Sequence, residues 1–430
     1  MNNKRITAGL LALTFVFGGA AVPDMAVNSS TVISASAERT EEFRYGDFYY
    51  TVLEDGTIGI TGYMGRDTVV EIPEEINDEY VTAICDDAFH GRKIEKIIIP
   101  DGVEIIGEQA FADCNGLVDI DLPDSVTSIG VYAFFDCDNL ENITLSNNLK
   151  TIGEGAFIDC EALKEIVIPD RVVSIGKAAF LGCSSLESIT LSKKLKTVDE
   201  RVFGFCSSLK SIVIPDKVTS LKSSAFEYCT ELKSVVLSEN LKSIESNVFC
   251  GCTSLKDITI PDKVTELGNG VFGNCTALQG AVIPSSVVEI GSHVFDKYDY
   301  ENDCYKPLPK LKITVHKKSA AMNYALDNVI KFRVTDAQGR GYYPSLLSME
   351  YDLNSRRFRM FWTRVSDAEE YGVAVKIAGK WKVQAYTDSN EYVSPSLYRG
   401  QKYEIVICAK INGKWDTYDI DRRSFVLTAR

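Results

Sequence analysis

Hydrophobic positions along most of this chain repeat with one period. Phenylalanine stands at Phe89, Phe111, Phe134, Phe157, Phe180, Phe203, Phe226, Phe249, Phe272 and Phe295, with one spacing of 22 and eight of 23. Behind most of them comes a strand-like run that alternates apolar and polar residues and ends in Pro or Ser. Leu117 to Pro123, Leu163 to Pro169 and Leu255 to Pro261 are examples. A second apolar pair follows, such as Val126 with Ile129, just before Gly130. A strand, a second short strand and two bends fill 23 residues, so the spacing predicts turns without an ordinary helix. One turn cannot bury its apolar set alone, so successive turns must stack. At a strand spacing of about 4.8 Å, ten such turns predict one parallel sheet roughly 45–50 Å long. Each Phe becomes an interior plug whose loss costs about 3–5 kcal/mol, and Pro after the strand ends the ladder.

The segment Phe43 to Ile76 alternates aromatic, Gly and polar residues, with Glu54 to Gly56 as a hairpin turn, and reads as an N-terminal cap. Ser319 to Leu326 is the one short helical candidate and closes the other end before Phe332. After Val334 the pattern changes. Asp336 to Gly341 is a polar, Gly-rich linker. Period-two runs follow at Phe358, Met360 and Trp362, at Tyr371, Val373 and Val375, and at Tyr403, Ile405, Ile407 and Ala409. These predict about seven strands and a β-sandwich. The expected fold class is mainly β, a parallel-sheet solenoid followed by a β-sandwich. The expected divisions are a leader at 1–37, the cap at 38–80, the solenoid at 81–334, a linker at 335–344 and the sandwich at 345–430. In the leader, Lys4 and Arg5 precede the apolar run Ile6 to Val22. Ala35, Ser36 and Ala37 offer a small-residue cleavage site, with Ala21 as the alternative, so a secreted protein is expected, either free or held loosely at the cell surface.

The repeated frame resembles the leucine-rich repeats of BspA-like bacterial surface proteins. Its Phe, the cysteine three residues later, the Leu, the Ile and the closing Pro match that family over roughly residues 66–334. The resemblance implies a curved solenoid with a binding or adhesion role outside the cell. Some turns depart from the frame. Arg92 and Tyr298 stand at the cysteine position of the first and last turns. The bend glycine is replaced at Asp199, Lys222 and Glu245, and seven residues are inserted between Phe295 and Leu308. The C-terminal run resembles a fibronectin type III domain, through Trp362, Ala368, Tyr371 and a tyrosine-corner-like Leu397 and Tyr403.

Eight of the 12 cysteines fall at one position of successive turns: Cys114, Cys137, Cys160, Cys183, Cys206, Cys229, Cys252 and Cys275. Stacked side chains keep their β carbons near one strand spacing apart, whereas a disulfide needs about 3.8 Å. Buried free thiols acting as small apolar residues, able to bond backbone at the bend, are favoured. Some disulfides, or a metal, are the alternatives. Metal suits poorly, because no C-x-x-C pair occurs and the chain has 3 histidines, His90, His293 and His316.

Composition narrows the function further. The net charge is −14, with 60 acidic against 46 basic side chains. That disfavours nucleic acid and leaves no basic membrane patch. No nucleophile elbow, zinc-protease motif, phosphate loop or dinucleotide fingerprint occurs. No catalytic residue, cofactor or metal site is expected, and the chain is not expected to be an enzyme. Asp299, Glu301 and Asp303 alternate like calcium ligands, but Cys304 takes the place of the loop glycine. A surface remains. The outward fourth strand position reads Val167, Thr190, Val213, Val236 and Thr259, a β-branched stripe free of charge. A protein-docking face is the functional reading, and strand propensity alone is the bland one. Glycan contacts would fall instead on Tyr45, Phe48, Tyr49 and Tyr50, or on Trp381 and Trp415. The expected partner is an extracellular protein. The alternative is a surface glycan, bound as an accessory to secreted polysaccharide degradation.

Overall fold

The computed structural model describes residues 41–335, 344–352, 355–365, 367–417 and 420–429. The expected leader at 1–37 and most of the expected linker at 335–344 lie outside these residues.

From Val69 to Val334 the chain winds as a β-solenoid of about twelve turns, built from two parallel ladders. The outer ladder uses three-residue strands such as Asp119–Asp121, Glu165–Val167 and Ser211–Val213, each buried at its middle residue and exposed at the two flanking ones. The second ladder uses two-residue strands such as Ser128–Ile129 and Ser243–Ile244. Pairing keeps the 23-residue offset, for example Ile129 against Ile152 and Val213 against Val236. The ten Phe side chains are all buried and stack along the interior, with ring centroids 5.1–5.7 Å apart. Two further turns lie beyond the Phe periodicity. At the start, Tyr63 continues the column against Phe89 at 5.8 Å and is followed by the strand Val69–Glu71. At the end, the helix Ala320–Asp327, capped by Ser319, places Tyr324 against Phe295 at 6.3 Å and leads into Lys331–Val334.

Two left-handed bends flank each interior Phe but Phe295, which has only the first. Two residues before it, φ is 57° at Asp87, 52° at Tyr132 and 55° at Arg201. Two residues after it, φ is 58° at Asp113, 56° at Asp136 and 77° at Gly182. Glycine is required at a third place, after the second ladder. A Cβ on Gly130 would lie 2.5 Å from the backbone of Gly107, and one on Gly153 would lie 2.3 Å from the Gly130 carbonyl. The second ladder breaks once, between Ser174–Ile175 and Thr197–Val198, where Gly176 gives way to Asp199. The Phe180–Phe203 spacing there is 5.7 Å, against 5.1–5.2 Å across the preceding glycine turns.

Two expectations are corrected. The outer ladder is not one continuous sheet. Its pairing stops after Asn142–Thr144, after Ser188–Thr190 and after Ser234–Val236. Each stop follows a turn that ends in Ser instead of Pro. Before proline, Ile168, Ile214 and Ile260 donate backbone N–H forward to the next turn at 2.8–3.0 Å. Among the described residues, the matching bonds from Leu145, Leu191 and Leu237 are absent. The buried Ser192 hydroxyl instead donates back to the Val172 carbonyl at 2.7 Å, and Ser238 to Asp216 at 3.1 Å. Lys164 Nζ bonds Glu141 at 2.7 Å and spans the first break; Lys210 pairs with Glu187 across the second.

The second correction concerns the last turn. By hydrogen bonding, Leu308 takes the ladder-cysteine place, because its N–H donates to the Phe295 carbonyl at 3.0 Å as that of Cys275 donates to Phe272 at 3.2 Å. Leu308 stands ten residues beyond Tyr298. The inserted chain forms the antiparallel hairpin of Asp296–Asp299 with Cys304–Pro307, which leaves the turn and returns to the same point. The strand resumes at Lys312 rather than Leu308.

At the N-terminal end, Phe43–Tyr45, Phe48–Val52 and Ile58–Tyr63 pair antiparallel, and Ile58 to Ile60 then joins the second ladder in parallel. At the other end, Phe332 and Arg333 pair antiparallel with Met349 and Ser348. Leu346–Asp352, Arg357–Trp362 and Glu391–Val393 thereby extend the outer-ladder sheet. A second sheet holds Lys380–Thr387, Ala368–Ile377, Lys402–Ile411 and Phe425–Thr428. Phe358, Met360 and Trp362 share one buried core with Tyr371, Val373, Ile405 and Ile407 of the second sheet.

Candidate functional site: the outward strand face

Strand alternation alone fixes which residues face out. In each three-residue strand the central Ile or Val points inward, so its neighbours point to solvent. Val167, Val213 and Val236 are 66%, 62% and 57% exposed, and Thr190 and Thr259 are exposed as well. The register sets Val167 beside Thr190 and Val213 beside Val236. The five residues thus form a line of β-branched side chains interrupted in its pairing after Thr190 and Val236. The neighbouring outward row, Asp119, Asn142, Glu165, Ser188, Ser211 and Ser234, is polar.

The cysteine row lies inside the turns. Cys114, Cys137, Cys160, Cys183, Cys206, Cys229, Cys252 and Cys275 are buried free thiols. Each donates its S–H to the carbonyl of the Phe one turn back, at 3.0–3.2 Å. Burial pushes the Cys114 thiol up to about 12. These groups are therefore structural and poor nucleophiles.

The other singled-out residues scatter. His90 bridges Asp87 at 3.0 Å and Asp113 at 2.9 Å, and these bonds, that to Asp87 first, raise its pKa. Asp299 is held by Lys306 and by Asn302, and Asp303 by the Tyr298 hydroxyl. Among the described residues no group of three His, Cys, Asp or Glu side chains could hold a metal ion. Of the cap aromatics, Tyr45 is exposed, while Tyr50 is buried with its hydroxyl accepting from Asn77 at 2.9 Å, which removes it as a glycan contact. Trp381 and Trp415 line, with Tyr386, Ala374 and Val406, a cavity of about 240 Å³ on the second C-terminal sheet. No helix among the described residues is long and apolar enough to cross a membrane.

Sequence spacing found the outward and inward rows because both follow the period. It missed an aromatic row on one bend, formed by Phe205 and Tyr228 with rings 5.0 Å apart. The available signal was that both stand two residues after an interior Phe, where seven of the other eight turns carry Gly, Asp or Asn.

Comparison with known proteins gives the lineage. No curated protein matches the chain. The chain is similar to a leucine-rich repeat protein of Bacteroides ovatus, at 24% identity over 68% of this chain and 100% of that one, with a TM-score of 0.36. It is similar to the leucine rich repeat protein of T. pallidum, at 29% identity over 55% and 91%, with a TM-score of 0.35. It is also similar to a leucine rich cell surface protein of Faecalibacterium prausnitzii, at 22% identity over 59% and 94%, with a TM-score of 0.31. The model of the BspA type leucine rich repeat region matches residues 82–209 and 173–302, which together span just over half of the 430 residues. The chain belongs to the BspA-type leucine-rich repeat family.

Proposed function

We propose that this is an extracellular, non-catalytic binding or adhesion protein that holds a protein partner on the stripe Val167, Thr190, Val213, Val236 and Thr259. The observation that carries the reading is the exposure of these uncharged β-branched side chains on consecutive turns. Interface centres are depleted of charge, and repeat proteins use such extended faces. The family, and the surface location stated for the F. prausnitzii protein, support the setting outside the cell. The C-terminal sheets act as a second module of fibronectin type III kind. The Tyr403 hydroxyl, accepting from the Tyr398 N–H at 3.1 Å, supports that reading as a tyrosine corner.

The test is the pair Val213→Lys and Val236→Lys, in a chain used to capture partners from cell-surface extracts. Melting should hardly change, because outward positions tolerate substitution. Affinity for a captured protein should fall by about tenfold or more, equivalent to ~1.4 kcal/mol. Unchanged affinity at unchanged melting would place recognition elsewhere. Capture of polysaccharide and no protein would reject the reading.

A further inference from the structure

Charge is spread unevenly along the solenoid. Residues 66–165 carry 23 acidic and 6 basic side chains, whereas residues 166–265 carry 11 acidic and 13 basic. The change is sharpest on the approach to the second ladder. Five successive segments, 147–151, 170–174, 193–197, 216–220 and 239–243, hold seven basic against three acidic side chains, a net +4. The equivalent segments on either side, 101–105, 124–128, 262–266 and 285–289, are each net negative. A chain of net charge −14 thus presents one bounded cationic strip. At physiological salt, where the Debye length is about 8 Å, remote carboxylates do not cancel it.

The charge in this strip is ordered. The residue just before each two-residue strand reads Lys150, Val173, Lys196, Thr219 and Lys242, so a lysine stands on every second turn. Backbone bonds of 2.9 Å tie Lys150 to Val173, and Lys196 through Thr219 to Lys242, on either side of the ladder break. All three lysines are exposed, and among the described residues their ammonium groups have no partner. Further round the turns, by contrast, Lys177 pairs with Glu200 at 3.7 Å and Lys222 with Glu245 at 2.7 Å. Of the three carboxylates in the strip, Asp170 accepts from the Lys193 N–H at 3.1 Å, and Asp216 and Glu239 lie exposed three residues upstream of the row. Beside the lysines runs a second row of hydroxyls, Thr151, Ser174, Thr197, Ser220 and Ser243.

We propose that Lys150, Lys196 and Lys242 bind a linear anionic polysaccharide that carries a carboxylate on every second sugar. On a strand spacing of about 4.8 Å, lysines two turns apart stand about 9.6 Å apart. That distance matches the repeat of an extended disaccharide. The five turns, about 19 Å end to end, cover roughly two such repeats. The hydroxyl row meets the sugar hydroxyls. A polymer charged on every sugar fits less well, because alternate carboxylates would fall against Val173 and Thr219, downstream of Asp170 and Asp216. A protein partner is also disfavoured, since lysine is depleted from interface centres and the row offers no aromatic anchor. Single-stranded nucleic acid would need stacking rings that the row lacks. The strip belongs to the second ladder and is independent of the stripe proposed above for a protein partner.

The experiment is biolayer interferometry of the full chain over three immobilised polymers. Hyaluronan carries a carboxylate on every second sugar, polygalacturonate carries one on each, and hydroxyethylcellulose is neutral. Binding should be tightest to hyaluronan, absent on hydroxyethylcellulose, and lost near 1 M salt, where the Debye length is about 3 Å. Lys150→Gln, Lys196→Gln and Lys242→Gln together should weaken hyaluronan binding about tenfold or more. Melting should hold, because all three side chains are exposed. Val173→Lys with Thr219→Lys fills the uncharged turns and should move the preference toward polygalacturonate. The proposal fails if hyaluronan does not bind, or if the glutamine triple variant binds it as tightly as the parent. It also fails if the parent prefers polygalacturonate or single-stranded DNA, either of which would show a response to charge density without the two-turn spacing.

Discussion

Asp136 shows how the repeat turns one residue into a problem for its neighbours. The row sets Asp113, Asp136 and Asp159 one turn apart at the same bend. Burial first, then Asp138, Asp113 and Asp159, push the Asp136 carboxyl up to about 6. An acid raised above its unfolded value of about 3.9 keeps its proton longer in the folded state. Its penalty is absent at low pH and grows as pH rises through the folded value. His90 acts in the same direction. Its bonds to Asp87 and Asp113 raise its pKa, so its contribution is full below the unfolded value near 6.5 and is lost as pH rises through the folded one. Carboxylates that are lowered, such as Asp170 beside the Lys193 N–H, change their contribution only below about pH 4. The melting temperature should therefore decline from about pH 4 to about pH 6 through Asp136 and further above about pH 6.5 through His90, and Asp136→Asn should flatten the first part of the decline. A melting temperature that climbs over this interval in the parent would contradict the assignment.

At the scale of the element, one turn is a loop closed by bonds to its neighbours, and the thiol row is one such set. Each Sγ is buried beneath the Phe column and donates to a carbonyl one turn back. Maleimide labelling of the native chain should begin at Cys250 and Cys304, the two half-buried cysteines, and should modify few of the eight row thiols. Unfolding without reductant should expose all eight. Mass mapping that finds bridged neighbours in the row would overturn the free-thiol arrangement. The turn was legible because Phe, Cys and Leu recur at fixed offsets, and a fixed offset can only be satisfied by stacking. The breaks in the outer ladder were visible only as Pro alternating with Ser at Pro123, Ser146, Pro169, Ser192, Pro215 and Ser238. Both residues stop a strand, so the difference carries no signal until the bonds around each are known. Spacing also misassigned Tyr298, because counting from Phe295 cannot see that a hairpin returns the chain to Leu308. The stripe Val167 to Thr259 followed directly from alternation, whereas the stacked pair Phe205 and Tyr228 shows only in the φ and ring geometry of the bend, which sequence does not display.

The whole molecule is a one-dimensional stack whose ends need covering. The aromatic hairpin Phe48–Val52 with Ile58–Tyr63 occupies the first end. At the last end, Lys331–Val334 would present an open strand edge if Leu346–Asp352 did not pair with it. A chain ended after residue 335 should melt at a lower temperature and associate through that edge, read by calorimetry and by size-exclusion chromatography. A monomer with the parent's melting temperature would show that the C-terminal sheets are an appendage rather than a cover. The constant 23-residue register has a further consequence, for inheritance. Recombination between two copies at equal offset removes or adds whole turns and leaves each surviving junction like the ones before it, provided glycine turns join glycine turns. The number of turns is then free to drift among descendants of one ancestral gene, while the two end pieces, which have no equivalent inside the stack, must be kept.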